Sequence, residues 1–222
     1  MIFSDMKKLF IIIIFLGMAG FVYANPGDSN NFYGNADGTY IVTISKIEIS
    51  QDNSTWITLG EGAQQFNIAS LTAGTDFSNY VSNTSITAGA YKYVRVTVSR
   101  AIQIKGSGTN SGHVYYTTAA TVSVDGGSLG VASAADDNTN YAIATIVIPS
   151  SASSPDPNEA LEVSGDNLIV TRTLDELFTV TSGGGSLQIT FTTQTSIEFD
   201  PDDSPGNVIF WPIPPSMSFD FV

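Results

Sequence analysis

The feature that most constrains this chain is a two-residue alternation of apolar and polar side chains, repeated between clusters of turn-forming residues. In Ser186–Phe199 and again in Tyr91–Ile104, apolar residues fall mainly on one parity and polar residues on the other. Such alternation is typical of a β-strand with one buried and one solvated face. No segment keeps helical spacing over three turns, so the sequence predicts an all-β chain.

Two other segments refine this prediction. Tyr141–Ile148 is apolar on both parities, which indicates a central strand covered on both sides. Thr39–Ile49 changes parity near Ser45–Lys46, which predicts a β-bulge. Because the strand candidates are separated by short glycine-rich turns, we expect a mostly antiparallel β-sandwich of the immunoglobulin-like kind, with no long helices in the mature chain.

The N-terminus has the pattern of a secretory signal peptide. Lys7 and Lys8 precede an apolar run that ends at Val22, and Ala24 provides a cleavage site, so residues 1–24 are the predicted leader. The run is shorter than the ~20 residues that span a bilayer. We therefore expect cleavage, export to the periplasm, the cell surface or the medium, and no membrane insertion afterwards. The sequence has no cysteine for lipid attachment, so a lipoprotein is not expected.

The mature chain divides by composition into an arm and a domain. Residues 25–38 are rich in Gly, Asn and Asp without periodicity, which predicts a flexible arm. Strand signals begin at Thr39, so a single β-sandwich domain is expected over residues 39–222. The glycine-rich stretch 105–112 is the best candidate for an internal boundary.

Charge and ligand chemistry exclude several classes of partner. Eight Lys and Arg residues against 21 Asp and Glu give a net charge of −13, which argues against nucleic-acid binding. With one histidine and no cysteine, the chain lacks the preferred ligands of zinc and copper. The sequence predicts no obligatory cofactor. Calcium is the favoured ion if one binds, and Asp200, Asp202 and Asp203 are its candidate ligands; the alternative is a merely solvated acidic turn.

One segment matches a catalytic motif. Gly126–Gly130 has the G-x-S-x-G spacing that would make Ser128 a nucleophile. No helix pattern follows it, however, and the only histidine, His113, precedes the serine. We therefore interpret Asp125-Gly126 as a hairpin turn. No pair among the carboxylates stands out for glycosidase chemistry, and the sequence predicts no catalytic residue and no enzymatic activity.

Aromatic residues suggest a binding surface instead. Tyr91 and Tyr93 project from the same predicted strand face, about 7 Å apart by strand rise. The two rings could form a flat platform for sugars, with Arg95 beside them as a hydrogen-bond donor. The alternative is a pair of half-buried tyrosines with a structural role.

A resemblance to a known family comes from the same region. Ile86–Val98, with the sequence ITAGAYKYVRVTV, resembles the Leu-Pro-Ala-Gly-x-Tyr-x-x-Ile-Arg-Leu segment of exported bacterial β-sandwich domains of unknown function, which are often lipoproteins with a prealbumin-like fold. The resemblance covers residues 39–105. Thr87 stands where that family tends to have proline, and the lipoprotein cysteine is absent. The resemblance implies a fold and export, but no activity.

Two functional hypotheses follow. The first is a non-catalytic exported or cell-surface protein that binds an extracellular ligand, either a glycan or a protein. The second is a self-associating structural or fibre subunit of the cell envelope, which would lend its Asn25–Gly38 arm or its C-terminal strand Met217–Val222 to a neighbouring sheet.

Overall fold

The computed structural model describes residues 12–15, 30–70, 86–152, 157–180, 187–192, 195–204, 207–213 and 216–221. All regular secondary structure in these ranges is β-strand, and every strand pairing is antiparallel. The all-β, antiparallel prediction is thereby confirmed. The strands are β1 Ile12–Phe15, β2 Phe32–Ser50, β3 Trp56–Asn67, β4 Gly89–Ser99, β5 Ala101–Asn110, β6 His113–Val124, β7 Gly127–Ala132, β8 Ala144–Val147, β9 Glu159–Ser164, β10 Asn167–Val180, β11 Leu187–Thr192, β12 Ile197–Ser204, β13 Asn207–Pro212 and β14 Ser216–Phe221.

Eleven of these strands form one sheet that closes on itself. Pairings of β2 with β5, β5 with β8, β8 with β7, β7 with β13, β13 with β12 and β12 with β2 make a ring of six strands. The remaining strands extend from the ring: β3 and β4 pair with β2, β10 and β9 follow β4, and β6 joins β5 and β7. We call β3, β4, β10, β9 and the second half of β2 the wing.

The long strand β2 belongs to both the ring and the wing because it bends. Its register with β4 shifts between Ile44 and Lys46, where β2 advances two residues against one of β4, which leaves Ser45 as the extra residue. The Ser45 hydroxyl donates to the Thr97 carbonyl across the bulge at 3.2 Å. A bulge increases local twist and redirects a strand, so the change of parity in the sequence predicts this bend correctly.

The ring closes where aromatic side chains lie over glycines. Phe199 of β12 stacks on Phe32 of β2 with ring centres 5.0 Å apart, and Phe210 of β13 lies 5.6 Å from Phe199. A Cβ atom at Gly34 would collide with Phe199, and one at Gly130 would collide with Phe210. Only residues without a side chain leave room for these rings. Gly34, Gly108 and Gly130, together with Phe32, Phe199 and Phe210, form what we call the aromatic–glycine closure.

This packing corrects the prediction of a flexible arm. Phe32–Gly38 belongs to β2, and Gly34 pairs with Ile197 on one side and with Gly108 on the other. Gly34, one of the glycines that suggested flexibility, is required by the ring of Phe199. Residues 25–29 lie outside the described residues. The stretch 105–112 is likewise no linker, since it forms the end of β5 and the turn into β6.

Two other sequence predictions have different outcomes. Within Tyr141–Ile148, strand β8 pairs with β5 on one side and β7 on the other, which confirms a central strand, but its alternating burial shows that its two faces are not both covered. The prediction of one strand over Ser186–Phe199 is wrong. That segment contributes Leu187–Thr192 to one sheet and begins Ile197–Ser204 in another.

A buried arginine joins the ring to the wing. Arg100 lies between β4 and β5 and is 8% exposed. Its guanidinium donates to the carbonyls of Ile148, Gly126 and Gly165 at 2.7, 2.9 and 3.2 Å and to the Ser150 hydroxyl at 3.2 Å. Gly126 and Ser150 lie beside ring strands, whereas Gly165 lies in the β9–β10 turn of the wing. One side chain therefore satisfies acceptors from both parts of the fold.

A separate three-stranded sheet contains β14, with β1 on one side and β11 on the other. Ile12 is paired with Phe219, so a strand from the predicted leader lies next to the C-terminal strand. The described ranges contain no helix that is long and apolar enough to cross a membrane.

Candidate functional site

The register of three wing strands brings aromatic and charged side chains onto one sheet face. Trp56 of β3 is opposite Ser50 of β2, which is opposite Tyr93 of β4. Glu48 of β2 is opposite Arg95 of β4 in the adjoining row. Directly opposite residues project from the same side of an antiparallel sheet. We call Lys46, Glu48, Trp56, Tyr93 and Arg95 the Trp56–Arg95 face.

Ion pairs hold the charged members of this face in place. The Glu48 carboxylate accepts from Arg95 Nε at 2.8 Å and lies 2.9 Å from Lys46 Nζ. Its side chain is only 6% exposed, whereas those of Lys46 and Arg95 are 32% and 29% exposed. The Arg95 guanidinium also lies 4.0 Å from the centre of the Trp56 ring. A cation this close to an indole face is attracted to it, so both side chains are fixed before any ligand arrives.

The electrostatics of the face keep Glu48 ionised. Burial alone would raise the pKa of Glu48, but the hydrogen bonds and charges of Arg95 and Lys46 outweigh it and hold that pKa below its usual value. With Nε committed to Glu48, the two terminal nitrogens of Arg95 have no hydrogen-bond partner among the described residues.

The structure separates the three side chains predicted as a platform. Tyr93 and Arg95 lie on the partly exposed face, but Tyr91 is completely buried. The Tyr91 hydroxyl donates to the Thr87 carbonyl at 2.6 Å, and its ring packs 6.1 Å from that of Phe178. Because Phe178 of β10 is paired with Tyr91 and covers it, Tyr91 offers no surface to a ligand. The prediction of a Tyr91–Tyr93 platform is therefore wrong for Tyr91.

Trp56 provides the second aromatic ring of the face. Trp56 was not identified from the sequence as a partner of Tyr93. The association depends on the pairing of both strands with β2. A sequence carries the parity of each strand but not the register between strands 37 residues apart, which is the separation of Trp56 and Tyr93.

The candidate calcium ligands lie in a strand rather than in a turn. Asp200 is 2% exposed in β12, where it is paired with Ile209. The side chains of Asp202 and Asp203 are outside the described part of the structure. Where side chains are described, no three His, Asp or Glu residues gather in a way that could hold a metal ion.

The acidic turn at Asp136 and Asp137 has internal hydrogen bonds. Asp136 accepts from the backbone of Val114 at 2.8 Å and lies 2.7 Å from His113 Nδ1. Asp137 accepts from the Thr139 backbone at 2.9 Å. The hydrogen bond with His113 lowers the pKa of Asp136, and those from Thr139 lower the pKa of Asp137. Both carboxylates therefore serve to order the turn.

The G-x-S-x-G match is a hairpin, as the sequence predicts. Val124 and Gly127 are paired, and the two residues between them have φ angles of 39° at Asp125 and 68° at Gly126. Positive φ at both central positions is typical of a type I′ hairpin turn. The Ser128 hydroxyl accepts from the Val147 backbone at 3.0 Å, while His113 contacts Asp136. Ser128 is therefore part of a sheet and not of a nucleophile elbow.

Comparison with known protein families gives a match. The family model described as "Domain of unknown function (DUF4382)" matches residues 35–170. The chain belongs to the DUF4382 family. The DUF4382 match contains every residue of the Trp56–Arg95 face, whereas β12 and β13, which close the ring, follow it. Searches of the curated proteins and of the solved structures gave no match.

Proposed function

We propose that this protein is a non-catalytic, exported or cell-surface protein that binds an extracellular glycan through the Trp56–Arg95 face. The observation that carries the proposal is the row of half-buried Trp56 and Tyr93 rings beside an Arg95 that Glu48 already holds in position. Aromatic rings provide flat apolar surface, and the Arg95 guanidinium provides hydrogen-bond donors beside them. Preorganisation of this kind lowers the entropic cost of binding.

The positions of the reactive side chains favour a binding role over catalysis. Glu48 is held by two cations, and Ser128 accepts a backbone hydrogen bond within a sheet. Buried Glu159 lies 3.9 Å from the Arg172 guanidinium on a cross-strand pair. Each carboxylate here compensates a neighbouring positive charge, which is a structural use of ionised groups.

Export through a leader of residues 1–24, without a lipid anchor, belongs to the same proposal. It is supported by the signal-peptide pattern and by the absence of cysteine. The relation to prealbumin-like sandwiches rests on the Ile86–Val98 resemblance. Calcium binding at Asp200, Asp202 and Asp203 remains a prediction, and equal melting temperatures in calcium and in chelator would remove it.

A polysaccharide-binding assay tests the main proposal. The protein, expressed from its full coding sequence, is applied to a panel of immobilised neutral and acidic polysaccharides, with Trp56→Ala and Tyr93→Ala as test variants. Each substitution should weaken binding by at least about tenfold, or ~1.4 kcal/mol. Tyr33→Ala is the matched control, because Tyr33 is 50% exposed on β2 but outside the face. Binding that survives both test substitutions would contradict the proposal.

A self-associating structural subunit is the second candidate, and an exposed edge favours it. Residues 121–124 of β6 pair with β7 on one side, and no described strand pairs with them on the other. The segment is an uncharged Thr-Val-Ser-Val run with Val122 37% exposed, and such edges can pair with another chain. Light scattering after size-exclusion chromatography, in calcium and in chelator, distinguishes the two: a monomer in both conditions would contradict self-assembly.

A further inference from the structure

A second concave surface lies where strand β6 leaves its neighbour β5. Residues 113–116 of β6 pair with β5, but from Thr121 onward β6 pairs only with β7. Near Thr117, the segment before β8 enters beside β6: the backbone of Ala142 donates to the Thr117 carbonyl at 3.1 Å. The fork encloses an open cleft of about 590 Å³ lined by residues 118–120, 131–134, 137 and 139–142. We call it the fork cleft.

A large bulge shapes one wall of the fork cleft. Thr117 is paired with Ala132 and Thr121 with Gly130, so three residues of β6 face Val131 alone. The Thr118 hydroxyl donates to the Val131 carbonyl at 2.6 Å and fixes the bulge. Bulges of this type are frequent beside binding sites, where they redirect side chains.

The opposite wall is also fixed. The Tyr141 hydroxyl donates to Asp37 at 2.8 Å, and Lys105 Nζ lies 4.3 Å from the centre of the Tyr141 ring. The Thr117 hydroxyl donates to the Ala142 carbonyl at 2.8 Å. These contacts tie the segment before β8 to β2, β5 and β6. The fork cleft is therefore formed by well-anchored backbone.

The chemistry of the lining selects one class of ligand. Alanine methyl groups provide the apolar surface, and Asp137, Thr139 and Asn140 provide polar groups. No Lys or Arg lines the cleft, and the Asp137 carboxylate would repel an anion. Carboxylate and amide groups together can accept from and donate to neighbouring hydroxyls. The volume lies within the ~300–1,000 Å³ typical of small-molecule sites.

From this arrangement we infer that the fork cleft binds a single neutral, hydroxyl-rich sugar ring. This goes beyond the proposed binding of a glycan at the Trp56–Arg95 face and does not rest on it, because the two surfaces share no residue. The cleft is built from β6, β7 and the segment before β8, whereas the face is built from β2, β3 and β4.

The test uses the protein expressed from its full coding sequence and ligand-detected NMR titrations. The probes are glucose, galactose, mannose and N-acetylglucosamine, with glucuronate as the anionic counterpart of glucose. At least one neutral sugar should bind, and glucuronate should bind at least about tenfold more weakly than glucose or not at all. Failure of all four neutral sugars to bind, or glucuronate binding as tightly as glucose, would overturn the inference.

Variants locate the binding. Ala134→Trp should fill the cleft and abolish the interaction, and Asn140→Ala should weaken it at least about fivefold without changing the circular dichroism. Ser123→Ala, on an exposed position of the same strand β6 outside the cleft, is the matched control and should have no effect. Binding that persists in both cleft variants would overturn the inference. The same titrations of Trp56→Ala assign the signal: loss of sugar binding in that variant would place the sugar on the Trp56–Arg95 face and would overturn the inference.

Discussion

The wing and the aromatic–glycine closure of this protein differ in what covers the sheet and in what it packs against. In the wing, long side chains such as Trp56, Arg95 and Glu48 lie across a backbone that any strand could provide. In the aromatic–glycine closure, the backbone itself is the packing surface, and Phe199 and Phe210 rest directly on glycines. The wing can therefore change its side chains without losing its fold, whereas the closure tolerates almost no addition of atoms.

The largest effect is expected from the rings of the closure. Phe210→Ala removes a fully buried side chain and should cost about 3–5 kcal/mol of unfolding free energy, because the cavity cannot be filled by its neighbours. Chemical denaturation measures it. Leu177→Ala, at a position 58% exposed on wing strand β10, should change stability by less than ~0.5 kcal/mol. Similar losses of unfolding free energy at the two positions would contradict the proposed difference between the closure and the wing.

The second-largest loss of stability is expected at Arg100, which joins the ring to the wing. Arg100→Met removes the donors to three carbonyls and one hydroxyl, so buried acceptors of both the ring and the wing lose their partners. We expect a loss on the order of 3 kcal/mol, measured by denaturant unfolding. Lys92→Met, at an exposed position, is the control. A loss below about 1 kcal/mol would show that the joint contributes little.

A double-mutant cycle tests whether glycine is needed for space alone. Gly130→Ala should cost about 1–3 kcal/mol by overpacking against Phe210. In a Phe210→Ala background the same substitution should be nearly neutral, since the colliding ring is gone. Thermal and denaturant unfolding of the four proteins give the coupling energy. An unchanged cost in the second background would mean that Gly130 serves the backbone conformation instead.

The smallest effect is expected on the wing, and it depends on pH. Because partners hold the pKa of Glu48 below its usual value, its contribution is present above about pH 4.3 and is lost as the pH falls through the folded-state pKa. Glu48→Gln should thus be less stable than the natural protein by about 1 kcal/mol at pH 7 and by much less at pH 3. Melting curves at both pH values measure this. Glu61→Gln, which changes an exposed acid opposite Lys46, is the control and should alter stability by less than ~0.5 kcal/mol.

Features that depend on neighbouring residues were predicted best. The parity change at Ser45 and the Asp125-Gly126 turn are of this kind, and the structure contains the corresponding bulge and hairpin. The prediction of one strand over Tyr91–Ile104 is only partly correct, because the chain divides at Arg100 into β4 of the wing and β5 of the ring. The candidate face was only half predicted. Tyr93 and Arg95 were identified, but the burial of Tyr91 depends on Phe178, which is 87 residues away.

The aromatic–glycine closure could not be predicted because each of its contacts joins a glycine and an aromatic ring that are distant in sequence. Gly34 looks like a flexible residue until Phe199 is placed over it, 165 positions later. Asp200 similarly looks like a turn residue until β12 is seen beside β13. Amino-acid composition does not show which glycine lies under which ring. The two-residue alternation that would reveal a strand is interrupted by the same glycines that make room for the rings.

The joining of β2 to β12 also sets an order of events while the chain is being made. Because synthesis begins at the N-terminus, Gly34 and Gly108 are present long before Phe199, and Phe199 cannot cover them until nearly the whole chain exists. Contacts of such long sequence separation form slowly. The ring therefore closes late, after the last of its strands has been synthesised.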